Sequence, residues 1–428
     1  MGGREPGYHG CSVRGLALEG RLAVPAAAAL QLDPSMMEDT LTMVKDNVQA
    51  TAIKRVPGCY AAVPGPGGII KAFVPADLPP DPPVSVDSSR LQSALSSLEG
   101  FNSLYYSAEE HCGKTFRNMC RWIEAICSVR IERMNPNPVT ALAYLTGATE
   151  GGQDERAVFD YIMALDDALM SLKDKSNPVC GRLLKSTHAI LMSGYISSGP
   201  GAFRRIQNRV FGATPEEPPY TPPPADLVAP LMANLDHYIN SPDVDPIVKA
   251  AVAHAQFETI HPFVDGNGRT GRILILMILK RYLNAEGDAV LYLSRYLYNH
   301  VDEYFSLLNN IRTEGDWESW VDFFLKGVEE TARDAVSLCA DISTAVSRDA
   351  ERMPESAAHP VRAVFDFLSR FPAVSATTIA RRLVMPEPDV IGVVSDLMSM
   401  GIVQVSDSDY KNMIVSYTGL MNCLFNRI

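Results

Sequence analysis

From Ser88 to about Val346 the apolar residues recur every three or four positions, the period of a helix face turned towards a core. "SSRLQSALSSLEGFNSL" follows serine caps and puts Leu91, Ala94, Leu95 and Leu98 on one side. "TFRNMCRWIEAICSVRIERM" repeats the pattern and stops at the breaker "NPNP". "ERAVFDYIMALDDALMSLKD", "CGRLLKSTHAILMSG", "LVAPLMANLDHYIN" and "PIVKAAVAHAQFETI" continue it. The pattern predicts a mainly α fold, a bundle of about seven or more helices. One stretch departs from it. "PGAFRRIQNRVFGATPEEPPYTPPPA" (200–225) carries the β-type residues Ile206, Val210 and Phe211 before a proline cluster. It predicts a short hairpin whose edge the prolines restrict.

The two ends read differently. Residues 1–56 offer a weak amphipathic segment, "SMMEDTLTMVKDNVQATAI", behind an Ala/Gly/Pro-rich start whose first thirty residues read as flexible. Between Val56 and Val84 prolines and glycines crowd together, which excludes helix and predicts an extended arm or linker. Past Arg352 the pattern runs helix, helix, helix, strand, strand, the order of a small winged helix-turn-helix domain over 355–428. The expected divisions are an N-terminal segment 1–72, a helical region with a Pro-rich arm 73–135, a helical core 136–346 and the domain at 355–428.

Composition narrows the partners. The 428 residues are 46% hydrophobic and 21% charged, enough to bury a substantial core. A formal net charge of −12 opposes general affinity for nucleic acid or anionic membrane, so phosphate would have to be bound at a local site. Eight cysteines with no C-x-x-C pair suit a reducing compartment. The apolar run Ile273 to Leu279 is too short to span a bilayer and reads as a buried helix face. In "LALEGRLAVPAAAAL", Glu19, Arg21 and Pro25 interrupt any secretory leader, so the cytoplasm is the expected location.

The chemistry concentrates in "HPFVDGNGRTGR", His261 to Arg272. Pro262 stops one helix and another begins near Thr270. Gly266, Gly268 and Gly271 let backbone N–H groups come close to an anion, and the new helix adds the positive end of its dipole. Arg269 and Arg272 bring fork-shaped donors for phosphate oxygens. Asp265 is placed to hold Mg²⁺ against a polyphosphate. His261 can take a proton from an incoming hydroxyl. Together these suit phosphoryl or nucleotidyl transfer.

The stretch also resembles the Fic-domain signature, H-P-F-x-[DE]-G-N-G-R-x-x-R, at every fixed position. Similarity extends over about 73–335, through "LKSTHAILMSG", "GPGAFRRIQNRVFG" and "DEYFSLLNNIRTEGDWESWVDFFL". It implies a Fic-type helical bundle with a short β-hairpin flap that transfers AMP from ATP to a Ser, Thr or Tyr hydroxyl of a target protein. His261 would be the base, and Phe263 would anchor the loop. Asp265 would bind Mg²⁺. Gly266, Asn267 and Gly268 would cradle the α- and β-phosphates, Arg269 would lie on the phosphate chain, and Arg272 would meet the γ-phosphate. Gly201 to Gly212, with Arg204, Arg205, Ile206 and Gln207, would form the flap that docks a target segment by strand addition. Tyr304 would border the adenine pocket.

Family members also carry an inhibitory helix with the pattern [S/T]-x-x-x-E-[G/N]. Ser128 and Glu132 match it, which implies that Glu132 pairs with Arg272 and displaces the γ-phosphate. Arg133 departs from the pattern, and its charge is expected to compete for Glu132. His254, Glu258 and His261 share one helix face, a metal-ligand spacing we set aside because no further ligand pattern accompanies it. The helix "EPDVIGVVSDLMSMG" carries Glu387, Asp389 and Asp396 but no Lys or Arg, so protein interaction or dimerisation is expected there rather than DNA binding, with Arg381 and Arg382 nearby. Two rival readings stand beside AMP transfer to a target or to the chain itself. One is a DNA-binding regulator with a nucleotide-sensing core; the other is an enzyme that removes AMP or moves another phosphate-linked group.

Overall fold

The computed structural model describes residues 55–65, 68–107, 110–147, 151–195, 199–210, 220–282, 290–356, 359–406, 411 and 413–428. The amphipathic segment and flexible start expected before residue 55 lie outside the described residues, as do residues 211 and 212 at the end of the expected flap.

The Pro/Gly-rich stretch is not a simple arm. β1 (Gly58–Gly65) and β2 (Gly68–Pro75) pair antiparallel, with Gly58 opposite Pro75 and Gly65 opposite Gly68. The glycines and prolines mark the hairpin's turn and ends. β2 reaches sideways as well, since the Phe73 N–H donates to the Thr221 carbonyl at 2.9 Å. The arm then follows. Arg55 fastens it, donating to the Pro82 and Pro83 carbonyls at 2.6 and 2.8 Å and pairing with Glu318 at 2.5 Å.

Helices α1 (Ser88–Ser107), α2 (Glu110–Ile131), α3 (Pro138–Leu145), α4 (Gln153–Ser171) and α5 (Gly181–Leu191) come next. Within 200–225 the described residues hold one antiparallel bridge, Val210 to Tyr220. A 3₁₀ turn (Ala225–Leu227) leads to α6 (Val228–Ile239), α7 (Pro246–Ile260), α8 (Asn267–Tyr282), α9 (Leu293–Asn299) and α10 (Val301–Glu314). The 34-residue α11 (Trp317–Ala350) packs along α1 and α2.

α7 and α8 form the centre. Asp245 caps α7 by accepting from the Ile247 N–H at 2.8 Å, Pro246 supplies a pre-set φ, and almost every side chain that follows is buried. Ile273 to Leu279 of α8 are buried too, each burial contributing about 1.5–3 kcal/mol. Trp320 locks α11 to α7 by donating its indole N–H to the Ala251 carbonyl at 2.9 Å. The loop between α7 and α8 therefore hangs on the most buried pair of elements. Among the described residues, no helix is long and apolar enough to cross a membrane.

The C-terminal segment contains α12 (Pro360–Leu368), β3 (Ala373–Ser375), α13 (Ala376–Leu383), α14 (Glu387–Ser399), β4 (Val403–Val405), β5 (Ile414–Tyr417) and α15 (Thr418–Phe425). Its sheet runs β3-β5-β4, so the expected order gains a short strand and a last helix. It is docked on the bundle. Tyr417 meets the buried Asp349 carboxylate at 2.9 Å, and Arg427 pairs with Asp334 and Asp341 at 3.1 and 2.8 Å. Glu387, Asp389 and Asp396 all lie exposed on α14.

Candidate active site

His261 closes α7 in the left-handed region, φ 51°, its N–H donating to the Phe257 carbonyl at 2.9 Å. That turn throws the chain out of the helix, and Pro262 prevents it resuming. Phe263 drives back into the core as a fully buried anchor. Its ring stacks on His188 of α5, centroids 3.8 Å apart and 4° from parallel. His188 is fixed by two bonds. The Gly201 N–H donates to Nδ1, so Nε2 carries the proton and donates to the Asp265 carbonyl at 2.9 Å. Sequence reading gave His188 no role, because one histidine inside an amphipathic helix carries no signal of its own.

Asn267 does not point at a ligand. Its Oδ1 accepts from the Phe263 N–H at 2.8 Å and its Nδ2 donates to the Phe263 carbonyl at 2.9 Å, so the side chain staples the loop. Only its backbone remains for the expected phosphate role. Gly266 needs its positive φ of 73°, and a Cβ there would strike Met192 at 2.7 Å. Gly271 has a packing reason to be glycine. A Cβ at 271 would lie 2.3 Å from Glu258 Oε1, so this glycine makes room for α7.

The expected flap contacts divide in two. Arg204 is buried and its guanidinium donates to the carbonyls of His261 (2.8 Å), Pro223 (2.6 Å) and Ile206 (3.1 Å). It holds the end of α7 in place and is not a docking group. Asn208 does the same for the loop, donating to the Phe263 and Val264 carbonyls at 3.0 Å each. Arg205 and Ile206 are exposed, and Gln207 donates to the Pro222 carbonyl at 2.8 Å. Tyr304 is 1% exposed, and its hydroxyl meets His254 Nε2 at 2.8 Å. His254 Nδ1 meets the Gly271 carbonyl at 3.0 Å, so neither ring nitrogen is left for a metal.

What remains at the mouth of α8 is a set of cations and one base. Arg269 is 3% exposed; one of its nitrogens meets Met192 Sδ at 3.4 Å, while Nε and Nη1 are buried without hydrogen-bond partners. Buried guanidinium N–H groups are costly to leave unmet, so the position suits an anion. His261 Nδ1 is likewise buried and unpartnered. Burial and the nearby Arg204 charge push the His261 imidazole down to about 4, so it is neutral near pH 7. Asp265 stands exposed at the loop tip, its Oδ1 accepting from the Gly266 N–H at 2.7 Å. One carboxylate beside a phosphate cradle fits Mg²⁺, which binds through few protein ligands plus phosphate. Among the described residues, no three His, Cys, Asp or Glu side chains gather as a ready-made metal cage.

Arg272 is 2% exposed and fully engaged. Nε donates to Ser128 Oγ at 2.7 Å, and one terminal nitrogen reaches the Ser128 carbonyl at 3.0 Å and Glu132 Oε1 at 2.7 Å. Glu132 comes from the end of α2. A Cβ on Gly268 would stand 2.3 Å from its Oε1, so the glycine leaves room for this carboxylate. Burial works against the charged carboxyl, but the charge and hydrogen bond of Arg272, helped by Arg269, hold Glu132 below its ordinary value. Arg133 follows at φ 61°, a left-handed turn that suits Gly or Asn.

With the geometry in place, the sequence profile described as Fic/DOC family matches residues 178–279, from just before α5 to within α8. The chain carries a Fic domain. A probable protein adenylyltransferase of Aquifex aeolicus is 28% identical over 169 residues, 36% of this chain and 47% of that protein. The protein adenylyltransferase Fic of Drosophila grimshawi is 43% identical over 84 residues, 19% of this chain and 16% of that protein. The chain thus spans under half the length of these curated relatives. A solved Fic family protein from Desulfovibrio desulfuricans superposes with a TM-score of 0.52 at 21% identity, over 79% of this chain and 98% of that one. That likeness extends the Fic fold well beyond the matched residues.

Proposed function

We propose that this protein transfers AMP from ATP to a Ser, Thr or Tyr hydroxyl of a target protein and is held back by Glu132. The observation that carries the reading is Arg269, buried within the signature with two guanidinium nitrogens unmet. The names of the two curated relatives, both protein adenylyltransferases, support the same class of reaction.

His261, neutral and next to the loop, takes the proton of the target hydroxyl. The hydroxyl oxygen then bonds to the α-phosphorus as the bond to the β-phosphate breaks and pyrophosphate leaves. Arg269 and the backbone N–H groups at the start of α8 bind the phosphate oxygens and steady the charge they gain. Mg²⁺, held by Asp265, supplies further charge neutralisation when bound. Arg204, Asn208 and Asn267 keep the loop rigid, so that base and cradle stay in register.

Arg272 grips the γ-phosphate only when Glu132 lets go. A guanidinium bound to Ser128 and a carboxylate cannot also clamp phosphate in a productive pose. ATP labelled separately on the α- and γ-phosphates tests the chemistry. Protein labelled from the α-position alone supports AMP transfer; label from the γ-position alone makes the protein a phosphoryl transferase.

A further inference from the structure

Glu258 has no role in the mechanism above, yet it lies at its centre. It sits on the last turn of α7, three residues before His261, and its Oε1 is buried without a hydrogen-bond partner among the described residues. A carboxyl so placed needs an explanation. The chain makes room for it: only a glycine at 271 avoids a 2.3 Å clash with Oε1, and residue 271 is a free position in the Fic signature. Several charged and titratable groups surround it. Arg272 and Arg312 act on it favourably and Glu132 unfavourably; Tyr304 stands on α10, and His254 and His261 share its helix.

Two carboxylates therefore act on Arg272. Glu132 holds it by a 2.7 Å hydrogen bond, whereas Glu258 acts on it by charge alone. A triphosphate in place of Glu132 would bring several negative charges close to Glu258, which then has to be neutral. We infer that Glu258 is a proton-linked second carboxylate for Arg272, partly ionised when the nucleotide is absent and neutral when it is held. Nucleotide binding accordingly takes a proton from solvent onto Glu258. Burial supports this by raising the carboxyl to about 7, with Arg272 opposing. Glu258 is a positioning residue, acting on the charge of Arg272 and not on the reacting atoms. The inference rests on the nucleotide reading above.

Titration calorimetry of the Glu132→Gly protein tests it, with the Mg-saturated α,β-methylene analogue of ATP in two buffers of different protonation enthalpy. The heats should differ between buffers by uptake of about half a proton or more per nucleotide near pH 7, because a group titrating there starts at most half-protonated. Affinity should fall about tenfold from pH 6 to pH 8 by the same linkage. Both effects should vanish in Glu132→Gly/Glu258→Gln. Buffer-independent heats in Glu132→Gly overturn the inference without needing the second variant. Equal uptake in both proteins overturns it too, and assigns the proton to His261 or another group. Absence of any binding removes the nucleotide reading itself, a separately visible outcome.

Discussion

Glu132 Oε1 lies 2.7 Å from the Arg272 guanidinium and 2.3 Å from where a Cβ on Gly268 would stand, so one carboxylate faces both residues of the loop. The Arg272 side chain is 2% exposed and that of Glu132 36%, so the carboxylate is the partner able to leave. Removing it as Glu132→Gly should raise AMP transfer by at least about tenfold, the equivalent of one charge-assisted hydrogen bond of about 1.4 kcal/mol. Unchanged labelling rates from α-labelled ATP would contradict the brake.

Arg133 stands at φ 61°, a position where Gly or Asn closes a helix without strain. Arg133→Gly should stabilise the end of α2 by about 0.5–1 kcal/mol after the entropic cost of glycine. Amide exchange over residues 129–133 should slow and basal transfer should drop. Faster exchange there would refute this account.

Asn267 should behave as a structural staple. Asn267→Ala leaves the buried Phe263 N–H unmet, while Asn208 still serves the Phe263 carbonyl, so the cost should be about 1–3 kcal/mol. The denaturation midpoint and the transfer rate should fall together. Normal stability with lost nucleotide affinity would show that Asn267 touches phosphate directly.

The pH profile follows from His261. Its folded value, about 4, lies below the ordinary 6.5, so the neutral base persists as pH falls and is lost only on approach to about 4. In Glu132→Gly at saturating ATP, transfer should stay flat on the acid side until about pH 5. A midpoint near 6.5 would mean that the imidazole is solvated and the assigned environment is wrong.

Much of this site was legible in the sequence because its parts are contiguous. His261 to Arg272, to which we assign base, cradle and clamp, lie in one loop, and Ser128 and Glu132 stand one helical turn apart. Roles set by distant packing were not legible. Arg204 looks like a surface arginine until its carbonyl partners at 206, 223 and 261 are brought together. Gly271 resembles its neighbouring glycines until α7 is laid beside it with Glu258. Tyr304 turns inward because His254 offers its hydroxyl a partner in the core. The β1–β2 hairpin was hidden by the residues that make its turn, since proline and glycine mark a tight turn and an open arm alike.

The most direct test pairs Glu132→Gly with Glu132→Gly/His261→Ala and follows AMP adducts on protein by mass spectrometry, including adducts on the chain itself. The account predicts adducts on Ser, Thr or Tyr with the first protein and none with the second. Equal adduct formation by both, or none by either, would contradict it.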